Sequence, residues 1–262
     1  MPQIRPWDLK VVFQSLVSAA AAPDPALPVA LITGASKGIG AASARLFAQA
    51  GFDLLLVARN ITALADLAAE LAPLGVRVET AGIDLGDADS MAPALAELLE
   101  RGLQPNVVIN NAGVAATASL AEMSLAEWQW LVQLNLTSVF QVCQAVLPGL
   151  RQRAGGLIIN VSSHAARQAF PQWGAYCASK AALASFSRCL AEEERPHGIR
   201  VSTLTLGAVN TPLWDSESVH SSFDRRAMLC ADTAAEALLY LAQQPPSQVV
   251  EDLTLMPSAG AL

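Results

Sequence analysis

Short runs of apolar residues alternate with longer Ala- and Leu-rich segments from residue 29 onward. In several runs, such as "DLLLVA" at 53–58, consecutive positions are apolar, which is typical of strands that helices cover on both faces. Repeated strand–helix alternation predicts an α/β fold with a doubly wound parallel sheet. The predicted strands cover residues 29–33, 53–58, 76–84, 106–110, 156–162, 200–206 and 249–256. The one long break, 207–229, is polar and aperiodic, and long loops of this kind tend to be functional or mobile.

The residues before this pattern, 1–28, are predicted to be an N-terminal extension and linker, and residues 29–262 a single domain. "VVFQSLVSAAAA" (11–22) partly resembles the apolar region of a signal peptide, but polar residues precede and interrupt it. An amphipathic helix fits it better than a cleaved signal. "APDPALP" (22–28) predicts a stiff linker. No run is expected to be long and apolar enough to span a bilayer.

The composition is apolar and acidic. Hydrophobic residues make up 53% and charged residues 15%, and the formal net charge is -7. An acidic chain without a Lys/Arg cluster predicts neither nucleic acid nor a membrane surface as partner. The cysteines form no CxxC pair and lie near no histidine at metal-ligand spacing, so reduced thiols in a cytoplasmic protein are predicted, with no metal site. They are Cys143, Cys177, Cys189 and Cys230.

A glycine-rich turn follows the first predicted strand in "VALITGASKGIGAASARLFAQAG" (29–51). Gly34, Gly38 and Gly40 allow a tight turn and the close approach of a ligand. The helix that begins near Ile39 directs free N–H groups and its positive dipole end at the same space. An ordinary glycine-rich turn is the alternative, but the position directly after the first strand of a βαβ unit favours a dinucleotide.

The second strand ends in "LLLVARN", where dinucleotide folds usually place the carboxylate that binds the 2′-hydroxyl of NAD. Ala58 and Arg59 occupy this region instead, and Lys37 in the glycine turn is a second cation nearby. Either cation alone would be interpreted as a solvated surface charge. Together, without a carboxylate, they favour a 2′-phosphate and therefore NADP.

Five motifs fall in an order and spacing that resemble the short-chain dehydrogenase/reductase family in its form of about 250 residues. They are "TGASKGIG" (33–40), "NNAG" (110–113), Asn135 in "LNLTSVF", "INVSSHA" (159–165) and "YCASK" (176–180). The resemblance covers residue 29 to about 256 and implies a Rossmann-type, seven-stranded parallel sheet with helices on both faces. Most members are tetramers or dimers, so a homotetramer is expected, with a dimer as the alternative. Two long apolar helices are predicted near 125–153 and 173–195, and the resemblance implies that they form the main contact between subunits.

The resemblance also implies a role for each motif residue. Tyr176 would be the acid/base, Lys180 would bind the nicotinamide ribose and acidify the tyrosine, and Ser163 would hold the substrate oxygen. Asn135 would hold a water that links Lys180 to solvent. The implied cofactor contacts are Gly34, Ser36, Lys37, Gly38, Ile39, Gly40, Arg59, Asp84, Leu85, Asn111, Ala112, Gly113, Tyr176, Lys180, Gly207, Val209 and Thr211.

The spacing of Tyr176 and Lys180 agrees with this assignment, because residues four apart share a helix face. A free tyrosine titrates near pH ~10, and an ammonium ~4 Å away at an effective dielectric near 20 is worth about 4 kcal/mol. The lysine is therefore expected to lower the pKa of the phenol towards neutrality. Neighbours on a strand face opposite ways, so only one of Ser162 and Ser163 can face the site, and the spacing to Tyr176 favours Ser163. Ser162 is expected to bond to backbone, and His164 to lie beside the site or in solvent.

Two features depart from the family pattern. The usual Pro-Gly after the sixth strand is Leu206-Gly207 here, and the C-terminus "LTLMPSAGAL" lacks the usual Asp-Gly-Gly, which weakens an assignment to fatty-acid synthesis.

Three functions remain open at this stage. The first is an NADPH-dependent reductase of a ketone or aldehyde, reversible as an alcohol dehydrogenase. The second is a 3-oxoacyl thioester reductase, which would use basic residues at the pocket mouth, with Arg167, Arg225 and Arg226 as candidates. The third is a non-catalytic nucleotide-binding protein. Four aromatic residues either line a pocket or pack in the core: Phe170, Trp173, Trp214 and Phe223.

Overall fold

A computed structural model of the chain describes residues 28–221 and 223–260. The predicted N-terminal helix and the linker up to residue 27 lie outside these residues, and the domain boundaries stay a prediction. The strands are β1 Val29–Thr33, β2 Asp53–Ala58, β3 Val78–Gly82, β4 Val107–Asn110, β5 Gly156–Ser163, β6 Ile199–Leu206 and β7 Asp252–Leu255. The α-helices within the described ranges are α1 Gly38–Gln49, α2 Ile61–Leu71, α3 Ala88–Glu100, α4 Leu125–Val132, α5 Ser138–Gln152, α6 Gly174–Glu194 and α7 Ala231–Ala242.

All seven strands join one parallel sheet in the order β3-β2-β1-β4-β5-β6-β7. The chain reverses its direction of winding between β1 and β4, where Ala30 pairs with Val107. In such sheets ligands bind beyond the carboxyl ends of the strands at this switch point. The Rossmann-type fold class predicted from the sequence is confirmed.

Two cores cover the two faces of the sheet. Leu54 and Leu56 face the core formed with α1, α2 and α7, whereas Leu55 and Val57 between them face the core formed with α3, α5 and α6. This alternation explains why the strands are apolar at consecutive positions. Each fully buried leucine side chain contributes roughly 1.5–3 kcal/mol by its removal from water.

The two edge strands are shorter than predicted. Strand β3 covers 78–82 rather than 76–84 because its only neighbour, β2, offers partners from Leu54 to Ala58. Strand β7 covers 252–255 rather than 249–256 because it pairs only with Thr203–Leu206 of β6. The backbone of an edge strand extends no further than its single partner.

The helix predicted over 125–153 is interrupted by a π-helical turn, Gln133–Thr137, between α4 and α5. By length and composition the whole run Leu125–Gln152 is apolar enough to cross a bilayer, contrary to the expectation from the sequence. In the structure it packs against the sheet, with Leu131, Val142 and Leu150 buried. Core helices of this kind meet the same criterion, so the run is no evidence for a membrane span.

Candidate active site

The glycine turn between β1 and α1 forms the floor of a cleft at the switch point. Gly34 and Gly38 have φ of 66° and 56°, a conformation that other residues rarely adopt. A Cβ on Gly40 would lie 2.2 Å from the Gly34 carbonyl oxygen. The first turn of α1 therefore approaches the end of β1 as closely as backbone atoms allow, and its N–H groups face the cleft.

The ends of β1 and β4 are joined by hydrogen bonds around Thr33. The backbone N–H groups of Asn111 and Ala112 donate to Thr33 Oγ1 over 3.1 and 3.0 Å, and Asn111 Nδ2 donates to the Thr33 carbonyl over 2.9 Å. A Cβ on Gly113 would lie 3.2 Å from Asn135 Oδ1 and 3.5 Å from Lys180 Nζ. The "NNAG" segment thus connects the glycine turn to the lysine.

The cleft continues past β2 and has a cavity volume of about 630 Å³. Ser36, Lys37, Ile39, Arg59 and Leu85 line it together with Gly34, Gly38 and the Asn111–Gly113 backbone. The side chains of Lys37 and Arg59 are exposed, and neither forms an ion pair within the described ranges. Ala58, also in the lining, presents no charge to them.

Asp84 lies just outside this lining, between Ile83 and Leu85. Its carboxylate accepts a hydrogen bond from the Gly86 backbone over 2.9 Å and so shapes the turn after β3. The sequence analysis missed Trp130 of α4, which lines the same end of the cleft and is 38% exposed. A half-exposed tryptophan on a helix otherwise assigned to packing is the signal that could have identified it.

Tyr176, Ser163 and Lys180 meet at the other end, in a pocket with a cavity volume of about 150 Å³. Tyr176 and Lys180 lie one turn apart on α6, and Ser163 ends β5. Lys180 Nζ lies 5.9 Å from the centre of the tyrosine ring and donates to the Val161 carbonyl over 2.9 Å. Ser163 Oγ accepts a hydrogen bond from the Ala165 N–H over 3.2 Å.

Burial controls the ionisation of both groups on α6. Burial raises the pKa of Tyr176, and a hydrogen bond with the Ser163 side chain acts in the opposite direction. Burial alone lowers the pKa of Lys180 from 10.5 to about 8. The sequence-based expectation that the tyrosine pKa is lowered is therefore wrong, because burial is the largest influence and raises it.

Asn135 lies in the π-helical turn and is fully buried. Its Oδ1 accepts from the Val114 N–H over 2.8 Å, and its Nδ2 donates to the Val114 carbonyl and to Ser179 Oγ over 2.9 and 3.0 Å. Ser179 Oγ in turn donates to the Tyr176 carbonyl over 2.8 Å. The Asn135 side chain thus links the "NNAG" segment to the tyrosine helix.

The segment after β6 closes the other side of the site. A Cβ on Gly207 would lie 2.5 Å from Pro257 Cδ. The Met256-Pro257 pair after β7 therefore packs directly against the Gly207 backbone. Thr211 lies beside Gly38, and the Val209 carbonyl accepts from Trp214 Nε1 over 2.8 Å. Further along, Ser218 Oγ donates to the Ala115 carbonyl over 2.8 Å, so the 207–229 segment crosses the cleft.

The neighbours of Ser163 behave as strand alternation predicts. Ser162 Oγ donates to the Lys180 backbone carbonyl over 3.5 Å. His164 lines the pocket, and its Nε2 pairs with Gln168 Oε1 over 2.9 Å. Phe170, Trp173, Trp214 and Phe223 all line the same pocket.

The sequence model of the family described as "short chain dehydrogenase" matches residues 28–221 of this chain. The chain belongs to the short-chain dehydrogenase family. This confirms the resemblance recognised in the motifs.

Relatives and solved structures of the short-chain dehydrogenase family cover nearly the whole chain. Sulfoacetaldehyde reductase 2 of Chromohalobacter salexigens is 33% identical over 89% of this chain and 95% of its own. An alcohol dehydrogenase from Thermococcus sibiricus, in complex with 5-hydroxy-NADP, has a TM-score of 0.81 at 32% identity, covering 89% of this chain and 97% of its own. Carveol dehydrogenase from Mycobacterium avium, in complex with NAD, has a TM-score of 0.80 at 26% identity, covering 92% and 99%.

Proposed function

We propose that the chain is an NADPH-dependent oxidoreductase that reduces a ketone or aldehyde to an alcohol, reversibly, with Tyr176 as the acid/base. The observation behind this is the meeting of Tyr176, Ser163 and Lys180 in a pocket that continues into the glycine-floored cleft. Reductase and dehydrogenase relatives support the reaction class.

The cleft fits a dinucleotide. The space that a Cβ would fill at Gly34 and Gly40, and the N–H groups at the start of α1, suit a pyrophosphate. Lys180 and the Asn111–Gly113 segment lie where the two parts of the cleft meet and would hold the nicotinamide ribose. When bound, the cofactor supplies a hydride to the carbonyl carbon.

Tyr176 supplies the proton that the carbonyl oxygen needs. A raised pKa keeps the phenol protonated at neutral pH, which suits an acid in the direction of reduction. Ser163 holds the substrate oxygen beside the phenol through its hydroxyl. Lys180, anchored at Val161, places a positive charge near the phenolate that forms when the proton leaves.

Asn135 positions rather than reacts. Its side chain is occupied by Val114 and Ser179, so a relay water would be held by other groups of the π-helical turn. Single π-helical turns occur frequently at functional sites, and this interruption is consistent with such a role.

Two cations select the phosphate of NADP. Lys37 and Arg59 line the cleft on either side of the strand end at Ala58, and a 2′-phosphate carries close to two negative charges. Similar solved structures hold 5-hydroxy-NADP, NADP and NADPH, and one holds NAD, which supports NADP alongside these two side chains.

The three arginines that the thioester alternative would use are all paired with carboxylates in the described part of the chain. Arg167 pairs with Asp252 over 2.7 Å, and Arg226 pairs with Asp224 over 3.1 Å. Arg225 donates to Asp215 over 2.8 Å and to Asn210 Oδ1 over 2.7 Å. A phosphate-bearing thioester would have to displace these partners, which favours a simple carbonyl substrate. The non-catalytic alternative does not explain why Ser163, Tyr176 and Lys180 line the same pocket.

The central test is Tyr176→Phe. We expect it to bind NADPH as the wild type does and to lose turnover by at least about 10²–10⁴-fold, because only the transferable proton is removed. Stopped-flow turnover and titration of NADPH fluorescence measure the two quantities. Tyr240→Phe, on α7 away from the cleft, is the matched control. A near-native kcat in Tyr176→Phe would show that another group is the acid.

Cofactor choice is tested with the double variant Ala58→Asp, Arg59→Leu. The wild type should prefer NADPH over NADH by roughly tens- to hundreds-fold in kcat/KM, since two charge-assisted hydrogen bonds are at stake. The double variant should lose most of this advantage while NADH turnover holds or improves. A wild type that prefers NADH would show that no 2′-phosphate is bound by Lys37 and Arg59.

The cytoplasmic location and the homotetramer expected from the sequence stay predictions. The first rests on the cysteines, all of which are free thiols. The homotetramer rests on apolar side chains that are exposed on the long helices, such as Phe140 on α5.

A further inference from the structure

The substrate pocket has an aromatic wall that starts at the reacting tyrosine. The Trp173 ring centre lies 5.6 Å from that of Tyr176 and 5.8 Å from that of Trp214, which lies 5.6 Å from that of Phe223. Phe170 adds a fifth ring. The contacts are edge-on or tilted, the arrangement that aromatic rings prefer.

The three rings beyond Tyr176 are half-buried and line the pocket. Residues recruited only for packing would turn their faces into one of the two cores, and none of Trp173, Trp214 or Phe223 belongs to either. The rings therefore present apolar surface to whatever occupies the pocket.

The wall is held in place before a ligand arrives. Trp214 Nε1 donates to the Val209 carbonyl, and Thr211 Oγ1 caps the turn Pro212–Asp215 that bears the tryptophan. Arg225 ties this turn down through Asp215 and through the Thr211 carbonyl, over 2.8 and 3.1 Å. A preorganised wall loses little conformational entropy on binding.

The pocket offers no spare charge to a substrate. Among the described lining residues there is no aspartate, glutamate or arginine. Lys180 is engaged by Val161, and His164 by Gln168. Because the Lys180 ammonium lies at Val161 and the reacting phenol, a sulfonate or carboxylate against the aromatic wall would lose its hydration without a counter-ion there.

We infer that the substrate is an uncharged ketone or secondary alcohol with an aromatic or similarly flat apolar group next to the reacting carbon. This inference rests on the proposed function and adds the substrate class. It separates this chain from its sulfoacetaldehyde reductase relative, whose substrate is anionic.

The first experiment compares kcat/KM with NADPH for acetophenone, propanone and sulfoacetaldehyde. Acetophenone should exceed propanone by at least about 100-fold, since even one methylene in an apolar pocket is worth 10- to 200-fold. Sulfoacetaldehyde should be a poor substrate. Faster turnover of sulfoacetaldehyde or propanone than of acetophenone would overturn the inference and leave the reductase intact.

The second experiment removes single rings. Trp214→Leu and Phe223→Leu should each lower kcat/KM for acetophenone by about 10- to 100-fold and that for propanone by less than about 3-fold. Tyr240→Leu, which removes a 38% exposed ring outside the pocket, should change neither. Equal losses for both ketones in both ring variants would mean that the rings only support the pocket, and would overturn the inference.

A binding measurement separates the two proposals. Calorimetric titration of 1-phenylethanol should show binding that weakens at least about 10-fold in Trp214→Leu or Phe223→Leu. If no carbonyl or alcohol is turned over but this binding is found, the proposed function fails and the aromatic pocket stands. Absence of binding would overturn the inference.

Discussion

At the scale of single residues, spacing predicts which side chains meet but not how they ionise. Tyr176 and Lys180 share a face of α6 as expected. However, Lys180 Nζ is directed to the Val161 carbonyl, and burial raises the tyrosine pKa. The contact of Lys180 with Val161 spans 19 positions, and the burial of the site also depends on how the segment after β6 folds back over α6. No local pattern could have supplied that.

The lysine makes a prediction for stability against pH. Its folded-state pKa of about 8 lies below the ordinary 10.5, so the unfolded chain binds more protons between these values. The resulting penalty is fully present below pH ~8 and is relieved as pH rises towards 10.5. Relative to Lys180→Met, the wild type should therefore gain about 2 kcal/mol in free energy of unfolding between pH 8 and 9.5.

Urea unfolding at a series of pH values measures this difference. Lys37→Met, which removes an exposed lysine, controls for the loss of one positive charge. If the free energies of unfolding of the wild type and Lys180→Met change in parallel with pH, the burial of Lys180 does not lower its pKa.

The choice of Ser163 over Ser162 could be made from the sequence, because strand alternation and the spacing to Tyr176 are both visible along the chain. It could not anticipate the pairing of Arg225 with Asn210, Thr211 and Asp215, because that depends on how the 207–229 segment folds back. The same limit applies to Trp130. Its helix was recognised, but its position beside the cleft follows from the packing of α4.

At the scale of elements, the apolar pattern predicts every strand, and the ends of β1 and β2 agree to the residue. Errors fall on the edge strands, whose length depends on their neighbours, and on the long helix near 125–153. A π-helical turn changes the hydrogen bonding without erasing the helical pattern. Its position is fixed by the bonds of Asn135 to Val114, a contact across 21 positions that the pattern cannot show.

The junction of β1 and α1 makes a prediction at this scale. Gly40→Ala should lower the melting temperature by about 5 °C and abolish NADPH binding, because its Cβ would meet the Gly34 carbonyl oxygen at 2.2 Å. Thermal unfolding and cofactor titration measure both effects.

Gly149→Ala is the matched control for this experiment. Gly149 lies within helix α5, and its added Cβ would meet only the end of the Gln104 side chain, at 3.1 Å. That side chain can move aside, so binding should be unchanged. Native NADPH affinity in Gly40→Ala would show that the close approach of turn and helix is not needed.

At the scale of the whole molecule, several large apolar side chains lie outside the two cores and are exposed. Leu125 and Phe140 are 70% and 44% exposed. Phe140 on α5 lies 6.5 Å, between ring centres, from the half-buried Phe186 on α6. The two phenylalanines form an apolar strip between α5 and α6, in which Phe140 is exposed and Phe186 packs in part against the core. Exposed apolar strips of this kind mark contacts with other chains.

The strip leads to the prediction of assembly. We expect a homotetramer at micromolar concentration, with a dimer as the alternative, and expect α5 and α6 to form the main contact. Phe140→Glu with Phe186→Glu would bury two charges without partners in that contact and should shift the chain to smaller species. Light scattering after size exclusion measures the mass.

Tyr240→Glu, on a 38% exposed ring of α7, is the control and should keep the wild-type mass. Circular dichroism verifies that the double variant still folds. A wild type that is monomeric would rule out the assembly, and a folded double variant with unchanged mass would place the contact on another face.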